Sequence, residues 1–543
     1  MKYLFPYKPR KGQISIMENI HSAIKNKKII LINAPTGLGK TICSLVPAIK
    51  FGKQILFLTP RQAQHRIVIQ SAKDINKDLK VASIIGKKDM CDHPIINNTS
   101  NFYDMCSLAR RGGGKTSCDL FKEGRCRYYE EIAKCKTANI ITANYRHIFD
   151  PIISDIFISL TKFKVEDMIL IVDEAHNLPH TLRDIASTKI TNRTCERAQN
   201  ELELLDKTGF EMEEVSLSKY IAEDIIYKMI SIDDDKRKLN KSNIAIDEKV
   251  ISWLQQAGEQ VIEIKQDDGT IAPISYLLTL YNFLSMWRDI DDVAYIRLFE
   301  RVNGNWHLNI KCLEPEILCS PLHHFHSTVL MSGTLQPIEY FKDILGLSDD
   351  VELKSYSSIF PSENKIVTID DTLTSEYKSR TSDMFISYGQ KINNICCRVN
   401  GNVAVFFPSY ALMKQIKNYI DTERVIITET SGKKIDIHKE LESRDKLMLG
   451  VMRGTLSEGV DYKDNLLSVI IICGFPYPMM GIEQKALTSY YDKKYGSGFV
   501  YAALYPSLNV VLQAMGRGIR SETDVCSIYL FDKRFKQYER YFK

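Results

Sequence analysis

The sequence predicts an α/β protein built on two parallel sheets, and three observations carry that prediction. Apolar, β-branched runs alternate with helical stretches, the pattern of strands joined by crossover helices. A glycine-rich loop follows one such run and opens a helix, and an Asp-Glu pair closes another. Parallel sheets bind ligands at the carboxyl ends of their strands, which is where both motifs fall. A second α/β series occupies the last third of the chain.

Taken in order, residues 28–33 form an Ile-rich strand, and a helix is expected from Lys40 to about Ile49. Residues 54–59, 138–143 and 168–172 read as further buried strands. Two segments interrupt the series. Residues 86–135 are rich in Cys, Arg, Lys and Gly with little periodicity. Residues 195–290 turn helical: Leu217, Ile221, Ile225 and Met229 recur at i+4, and Val250, Leu254 and Val261 share one face. Within that helical stretch, Asp233-Asp-Asp-Lys-Arg-Lys238 reads as a solvated loop. Strand-like segments return at 295–301, 307–312 and 328–331. The second series starts near Gly346 and includes strands at 403–407, 425–428 and 469–472.

The 543 residues suffice for several domains, and 44% hydrophobic with 26% charged residues argues for folded cores. A net charge of +5 permits nucleic-acid binding without demonstrating it. No run of about 18 apolar residues predicts a membrane span, and the first residues do not read as a signal peptide. We therefore expect an intracellular, cytoplasmic protein. There are 13 cysteines, five of them between Cys91 and Cys135. In a reducing compartment that density points to metal or redox chemistry rather than disulfides.

The glycine-rich loop runs Ala34, Pro35, Thr36, Gly37, Leu38, Gly39, Lys40, Thr41. It departs from the general phosphate-loop pattern by carrying Ala34 at the first glycine position. Glycines let backbone N–H groups turn toward phosphate oxygens. Lys40 supplies a point charge to the β- and γ-phosphates of ATP, and Thr41 a hydroxyl to Mg²⁺. Asp173 follows four apolar residues, so its carboxylate emerges at a strand end and can hold Mg²⁺ through water. Glu174 can polarise the attacking water. Two acids at this place would also suit a helix N-terminus; the upstream loop favours catalysis. Arg517 and Arg520, expected on one face of a helix, can neutralise charge on the γ-phosphate. Gln513, one turn before them, can hydrogen-bond the same phosphate. A solvent-facing basic helix is the alternative. Ser332 and Thr334 follow a strand, where they can form a turn, link distant sites, or do both.

Cys91, Cys106, Cys118 and Cys126 are separated by 14, 11 and 7 residues, with Cys135 left over. Four thiolates suit an iron–sulfur cluster or a structural zinc. Zinc sites usually show closely spaced cysteine pairs, absent here, which favours a [4Fe–4S] cluster. Arg110, Arg111, Lys115, Lys122, Arg125 and Arg127 surround these cysteines. They form either a phosphate track or a solvated basic surface, and Tyr128 and Tyr129 either stack on bases or pack in a core.

The order of these motifs resembles superfamily 2 helicases, and the cysteine-rich insertion resembles that of the XPD-like iron–sulfur DNA helicases. The resemblance rests on Gly86-Lys-Lys-Asp-Met-Cys-Asp-His-Pro94, Cys126-Arg-Tyr-Tyr129, Ala138-Asn-Ile-Ile-Thr-Ala-Asn-Tyr145 and Asp173-Glu-Ala-His176. Later matches are Ser332-Gly-Thr-Leu335, Gly401-Asn-Val-Ala-Val-Phe-Phe-Pro-Ser-Tyr410, Gly454-Thr-Leu-Ser-Glu-Gly-Val-Asp461, Phe475-Pro-Tyr-Pro478, Gln513-Ala-Met-Gly-Arg-Gly-Ile-Arg520 and Asp532-Lys-Arg-Phe535. It implies two RecA-like motor domains, with an iron–sulfur domain and a helical arch inserted in the first. The first motor would comprise residues 1–85, 136–194 and 291–345. The cluster domain would comprise 86–135, the arch 195–290 and the second motor 346–543. The resemblance further implies that Gln13 reads adenine, that Asp461 belongs to the nucleotide site, and that Cys126 rather than Cys135 is the fourth cluster ligand. Cys135 would then pack on a helix.

The implied activity is ATP-dependent unwinding with 5′-to-3′ movement on single-stranded DNA, acting as a monomer on single-stranded and forked DNA in repair. The rival is a DNA-stimulated ATPase that binds damaged DNA or remodels complexes without processive unwinding.

Overall fold

The computed structural model describes residues 4–99, 102–111, 117–207, 214–267, 274–358, 360–430, 436–441, 443, 445–457, 462, 465–519, 521 and 523–542. The strands are β1 (Ile29–Asn33), β2 (Ile55–Thr59), β3 (Val81–Ser83), β4 (Ile140–Asn144), β5 (Ile169–Asp173), β6 (Thr188–Thr191), β7 (Lys236–Leu239), β8 (Tyr295–Val302) and β9 (Asn305–Cys312). They continue with β10 (Ser327–Ser332), β11 (Glu352–Ser355), β12 (Lys365–Asp370), β13 (Val403–Phe407), β14 (Ile426–Thr428), β15 (Leu447–Val451), β16 (Val469–Cys473) and β17 (Cys526–Phe531).

A seven-stranded sheet in the order β11-β1-β10-β5-β2-β4-β3 centres the first lobe, and a six-stranded sheet in the order β12-β17-β16-β13-β15-β14 centres the second. Strand pairing in both is parallel. The central strands β2, β5, β10, β13, β15 and β16 are buried along their whole length. Helices cover both faces, which is why these strands read as continuous Ile, Leu and Val runs rather than alternating ones.

A third sheet, β6-β9-β8-β7, is antiparallel. It shares an apolar core with the helical segment: Leu254, Leu284 and Trp287 pack with Phe299, Leu308 and Ile310. Residues 295–312, assigned from sequence to the first motor, thus pack on both sides: Phe299, Leu308 and Ile310 against the helical segment, Ile296 and Leu298 in the first lobe's core. The segment containing Asp233–Lys238, read as a solvated loop, contributes β7 from Lys236 onward. It pairs antiparallel with β8, and Lys236 forms an ion pair with Glu300. Its exposed charges sit on an edge strand, where they oppose pairing with foreign chains. The expected boundary at 345/346 also shifts, because β11 extends the first sheet beside β1. The insertion at 86–135 is more regular than its composition suggested, with helices Phe102–Arg111, Asp119–Lys122 and Arg127–Cys135.

The lobes touch along a tyrosine-rich seam. The helix Ile482–Tyr495 and the following segment Val500–Leu504 belong to the second half in sequence. Their Leu487, Tyr490, Tyr491 and Ala502 nevertheless pack in one core with Leu313, Tyr340 and Phe341 of the first. Tyr495 and Tyr501 stack at 4.3 Å between centroids. The Tyr495 hydroxyl donates to the Asp343 carbonyl at 2.9 Å, and that of Tyr501 to the Asp343 carboxylate at 2.5 Å. Lys494 pairs with Glu316 at 2.6 Å.

Candidate active site and cysteine cavity

The phosphate loop joins β1 to the helix Lys40–Phe51. Gly37 and Gly39 have φ of 81° and 74°, the left-handed region that side-chain-bearing residues disfavour. Gln13 is buried beneath the loop. Its amide donates to the Leu38 carbonyl at 2.9 Å and accepts from the Arg10 N–H at 2.7 Å. The Arg10 guanidinium donates to the Gly37 carbonyl at 3.0 Å. The side chain expected at the adenine therefore also shapes the loop. Lys40 Nζ folds back to the Ala34 carbonyl at 3.1 Å, and the Thr36 hydroxyl donates across the lobes to the Gly516 carbonyl at 3.2 Å.

Asp173 ends β5, and Glu174 turns out of the strand with φ of 49°. Tyr145 braces that strained turn, its hydroxyl donating to the carbonyls of Asp173 at 2.5 Å and Glu174 at 3.0 Å. Ser332 ends the neighbouring β10 and donates to Glu174 Oε2 at 2.8 Å. His176 Nδ1 lies 2.7 Å from the same hydroxyl, and its Nε2 meets the Gln513 amide of the second lobe. With a neutral imidazole the donors order one way, from Gln513 to His176 to Ser332 to Glu174. Thr334 joins through its N–H, 3.3 Å from the Ser332 oxygen. Burial and the Glu174 carboxylate push Asp173 up from the usual carboxylate range, against the pull of Lys40. Burial also opposes charge on Glu174, but His176 when protonated, Lys40 and Ser332 outweigh it and hold Glu174 below the usual carboxylate range.

Thr36, Glu174, His176, Thr334, Gln513 and Arg517 line one cleft of 2160 Å³ between the lobes. Arg517 does not lie on a helix as expected. The helix Tyr505–Met515 ends at Gly516, and Gly518 beyond it approaches Cys526 too closely for any side chain. Arg517 Nε instead donates to the Ser457 carbonyl at 2.8 Å. Arg520 and Asp461 lie outside the described residues. His176, Tyr145 and Glu429 were not singled out from sequence. The first two stand within quoted motifs, whereas no motif marks Glu429.

Cys91, Cys106, Cys118 and Cys126 line a second, small cavity together with Lys87, Asp92 and Arg110. Burial raises the Cys91 and Cys118 thiols, and the neighbouring cysteines raise them further. Arg110 Nε is buried without a hydrogen-bond partner. Among the described residues no three or more His, Cys, Asp or Glu side chains are grouped to hold a metal ion. Cys135 lies on the helix Arg127–Cys135 in the first lobe's core, and burial pushes its thiol up to about 12. Tyr128 is buried in the same core. Tyr129 is held between Lys87 and Arg110, whose charged groups lie 5.1 and 4.9 Å from its ring centre. Arg127 pairs with Asp92 at 3.2 Å, Arg125 with Glu123, and Lys122 is exposed. Lys115 lies outside the described residues.

Three families match separate parts of the chain. They are the DEAD/DEAH box helicase over residues 10–100, DEAD_2 over 120–195, and the helicase C-terminal domain over 392–543. The chain is 24% identical to the ATP-dependent DNA helicase XPD of Sulfolobus acidocaldarius, across 97% of this chain and 96% of that protein. It is 22% identical to the Fanconi anemia group J protein homolog of Gallus gallus, across 91% of this chain and 49% of that protein. An XPD helicase structure aligns with a TM-score of 0.71 at 20% identity, covering 98% of both chains. An XPD structure from S. tokodaii gives 0.71 at 21%, covering 98% of this chain and 97% of that one. These structures share the fold of two RecA-like lobes, and the three family spans contain the phosphate loop, the Asp-Glu-Ala-His turn and the closing arginine motif. No helix among the described residues is long and apolar enough to cross a membrane. The chain is an ATP-dependent DNA helicase that resembles the XPD helicases along nearly its whole length.

Proposed function

We propose that this helicase moves 5′ to 3′ along single-stranded DNA as a single chain, separating forked duplexes in the service of DNA repair. The observation that carries the reading is the relay from Gln513 through His176 and Ser332 to Glu174. It ties the second lobe to the carboxylate beside the phosphate loop, so lobe position and hydrolysis are coupled. In this reading the loop from Ala34 to Thr41 cradles the triphosphate, with Lys40 as its point charge and Gln13 at the adenine. Thr41 and Asp173 hold Mg²⁺, which when bound neutralises phosphate charge. Glu174 orients the attacking water. Arg517, Arg520 and Asp461 complete the site from the second lobe.

The second cavity suits a [4Fe–4S] cluster. Its donors are four soft thiols, its one lining carboxylate is paired with Arg127, and the unpartnered Arg110 N–H is suited to a sulfur acceptor. Cys91, Cys106, Cys118 and Cys126 would hold the cluster, which braces the insertion. Anaerobically purified protein should then be brown with iron and sulfide bound; a colourless chain carrying stoichiometric zinc would rule the cluster out.

Strand displacement decides the function. ATP should drive unwinding of a fork with a 5′ tail but not of one with only a 3′ tail. Lys40→Ala should lower ATPase by at least about a hundredfold while DNA binding persists. Hydrolysis stimulated by DNA with no displacement would favour the remodelling ATPase instead. Unchanged hydrolysis in Lys40→Ala would refute the site.

A further inference from the structure

The loop after β15 faces the interlobe cleft through Thr455 and Leu456. One side chain of the neighbouring strand shapes it from behind. Glu429, just after β14, is 2% exposed. Its Oε2 accepts from the Val451 N–H at 2.9 Å. Its Oε1 accepts from the Thr455 hydroxyl at 2.7 Å and the Leu456 N–H at 3.3 Å. Residue 454 must be glycine beside it, since a β-carbon there would stand 2.5 Å from the carboxylate. The Ser457 hydroxyl then donates to the Gly454 carbonyl at 3.1 Å, and the Ser457 carbonyl accepts from Arg517 Nε at 2.8 Å.

An apolar side chain would fill this place in the sheet without the desolvation penalty of a carboxylate. Three donors from one short loop instead converge on a single acceptor group, and that fixes the loop in one shape. We infer that Glu429 is a positioning residue for hydrolysis: it sets the loop at 451–457 so that Ser457 holds Arg517 at the cleft. This rests on the reading of Arg517 as the arginine that meets the γ-phosphate. Glu429 itself touches no substrate. Its effect passes through backbone geometry, and a displacement of about 1 Å at a catalytic group can lower turnover about a hundredfold.

Glu429→Gln tests the idea. The amide keeps the volume but turns an NH₂ toward a loop donor. DNA-stimulated kcat should fall at least about tenfold, while the KM for ATP stays within about twofold, the signature of an interaction that matters in the transition state. Arg517→Ala should be slower still, and adding Glu429→Gln to it should change nothing further, because the two act in series. Multiplying effects would overturn the inference, as would wild-type turnover in Glu429→Gln. If Glu429→Gln does not fold, Thr455→Val and Thr455→Ser take its place. Serine keeps the donor and should retain activity, whereas valine should slow turnover, and equal rates would overturn the idea. A wild-type chain without ATPase would overturn the parent reading and this inference with it. An active wild type matched by its Glu429→Gln variant overturns this inference alone.

Discussion

Two buried histidines set an acid limit on the first lobe. His65 Nδ1 lies 2.9 Å from the Ser83 hydroxyl, and His147 Nδ1 lies 3.0 Å from the Asn144 amide oxygen. Burial lowers both to about 4, and for His65 the neighbouring His147 adds to the shift. An unfolded histidine titrates near 6.5. Above that pH neither state binds the extra proton and stability is full. As pH falls from about 6.5 toward 4 the unfolded chain gains protons that the folded lobe refuses, so stability drains by a few kcal/mol. His147→Phe, which keeps an aromatic ring against Phe157, should shrink the difference between urea midpoints at pH 7 and pH 5; an unchanged difference would reject the assignment. Residues differ in how far sequence betrays them. The positions of Lys40 and Asp173 were readable because a glycine loop opens a helix at the one and an apolar run ends at the other. Tyr145 and His176 were visible only as letters of motifs, since their partners lie 28 and 156 residues away. Glu429 carries no such mark, because its donors arrive from the end of β15 and the loop that follows it.

The helix Tyr276–Asp289 shows how an element can depend on one distant acid. Its first N–H groups have no intrahelical acceptors. Glu201 accepts from the Tyr276 and Leu277 N–H groups at 2.7 and 3.1 Å, from the Ser275 hydroxyl at 3.0 Å, and from Lys265 Nζ at 2.6 Å. The acid also sits at the positive end of the helix dipole. Glu201→Ala should destabilise this unit by about 2–3 kcal/mol. All three tryptophans of the chain, Trp253, Trp287 and Trp306, pack in its core, so their fluorescence in urea reports it selectively; a shift below about 0.5 kcal/mol would discount the cap. The buried parallel strands were legible because a strand covered on both faces must be apolar throughout. β6 and β7 were not, because Thr-Lys-Ile-Thr and Lys-Arg-Lys-Leu are short and polar and gain their order from pairing with β9 and β8. The early end of the helix before Arg517 was written in Gly516 and Gly518, but Arg517 and Arg520 at i, i+3 suggested continuation.

At the scale of the whole molecule the tyrosine seam and the interlobe cleft lie at different places between the lobes. The seam buries Leu487, Tyr490 and Tyr491 in the first lobe's core, whereas Thr36, Glu174, Gln513 and Arg517 line the cleft. Replacing Tyr495 and Tyr501 together by alanine should loosen the seam and leave the catalytic groups in place. We expect a larger radius of gyration by X-ray scattering without nucleotide, and a KM for ATP raised severalfold with kcat nearly unchanged. An unaltered radius and KM would show that the seam does not restrain the lobes. A joint that stays closed has a thermodynamic consequence for a cyclic machine. The translational and rotational freedom lost when two bodies come together is surrendered once, as the chain folds, rather than on every encounter with ATP. With the seam intact, ATP still gives up its own freedom on binding, but of the lobes it has only their mutual rotation left to order.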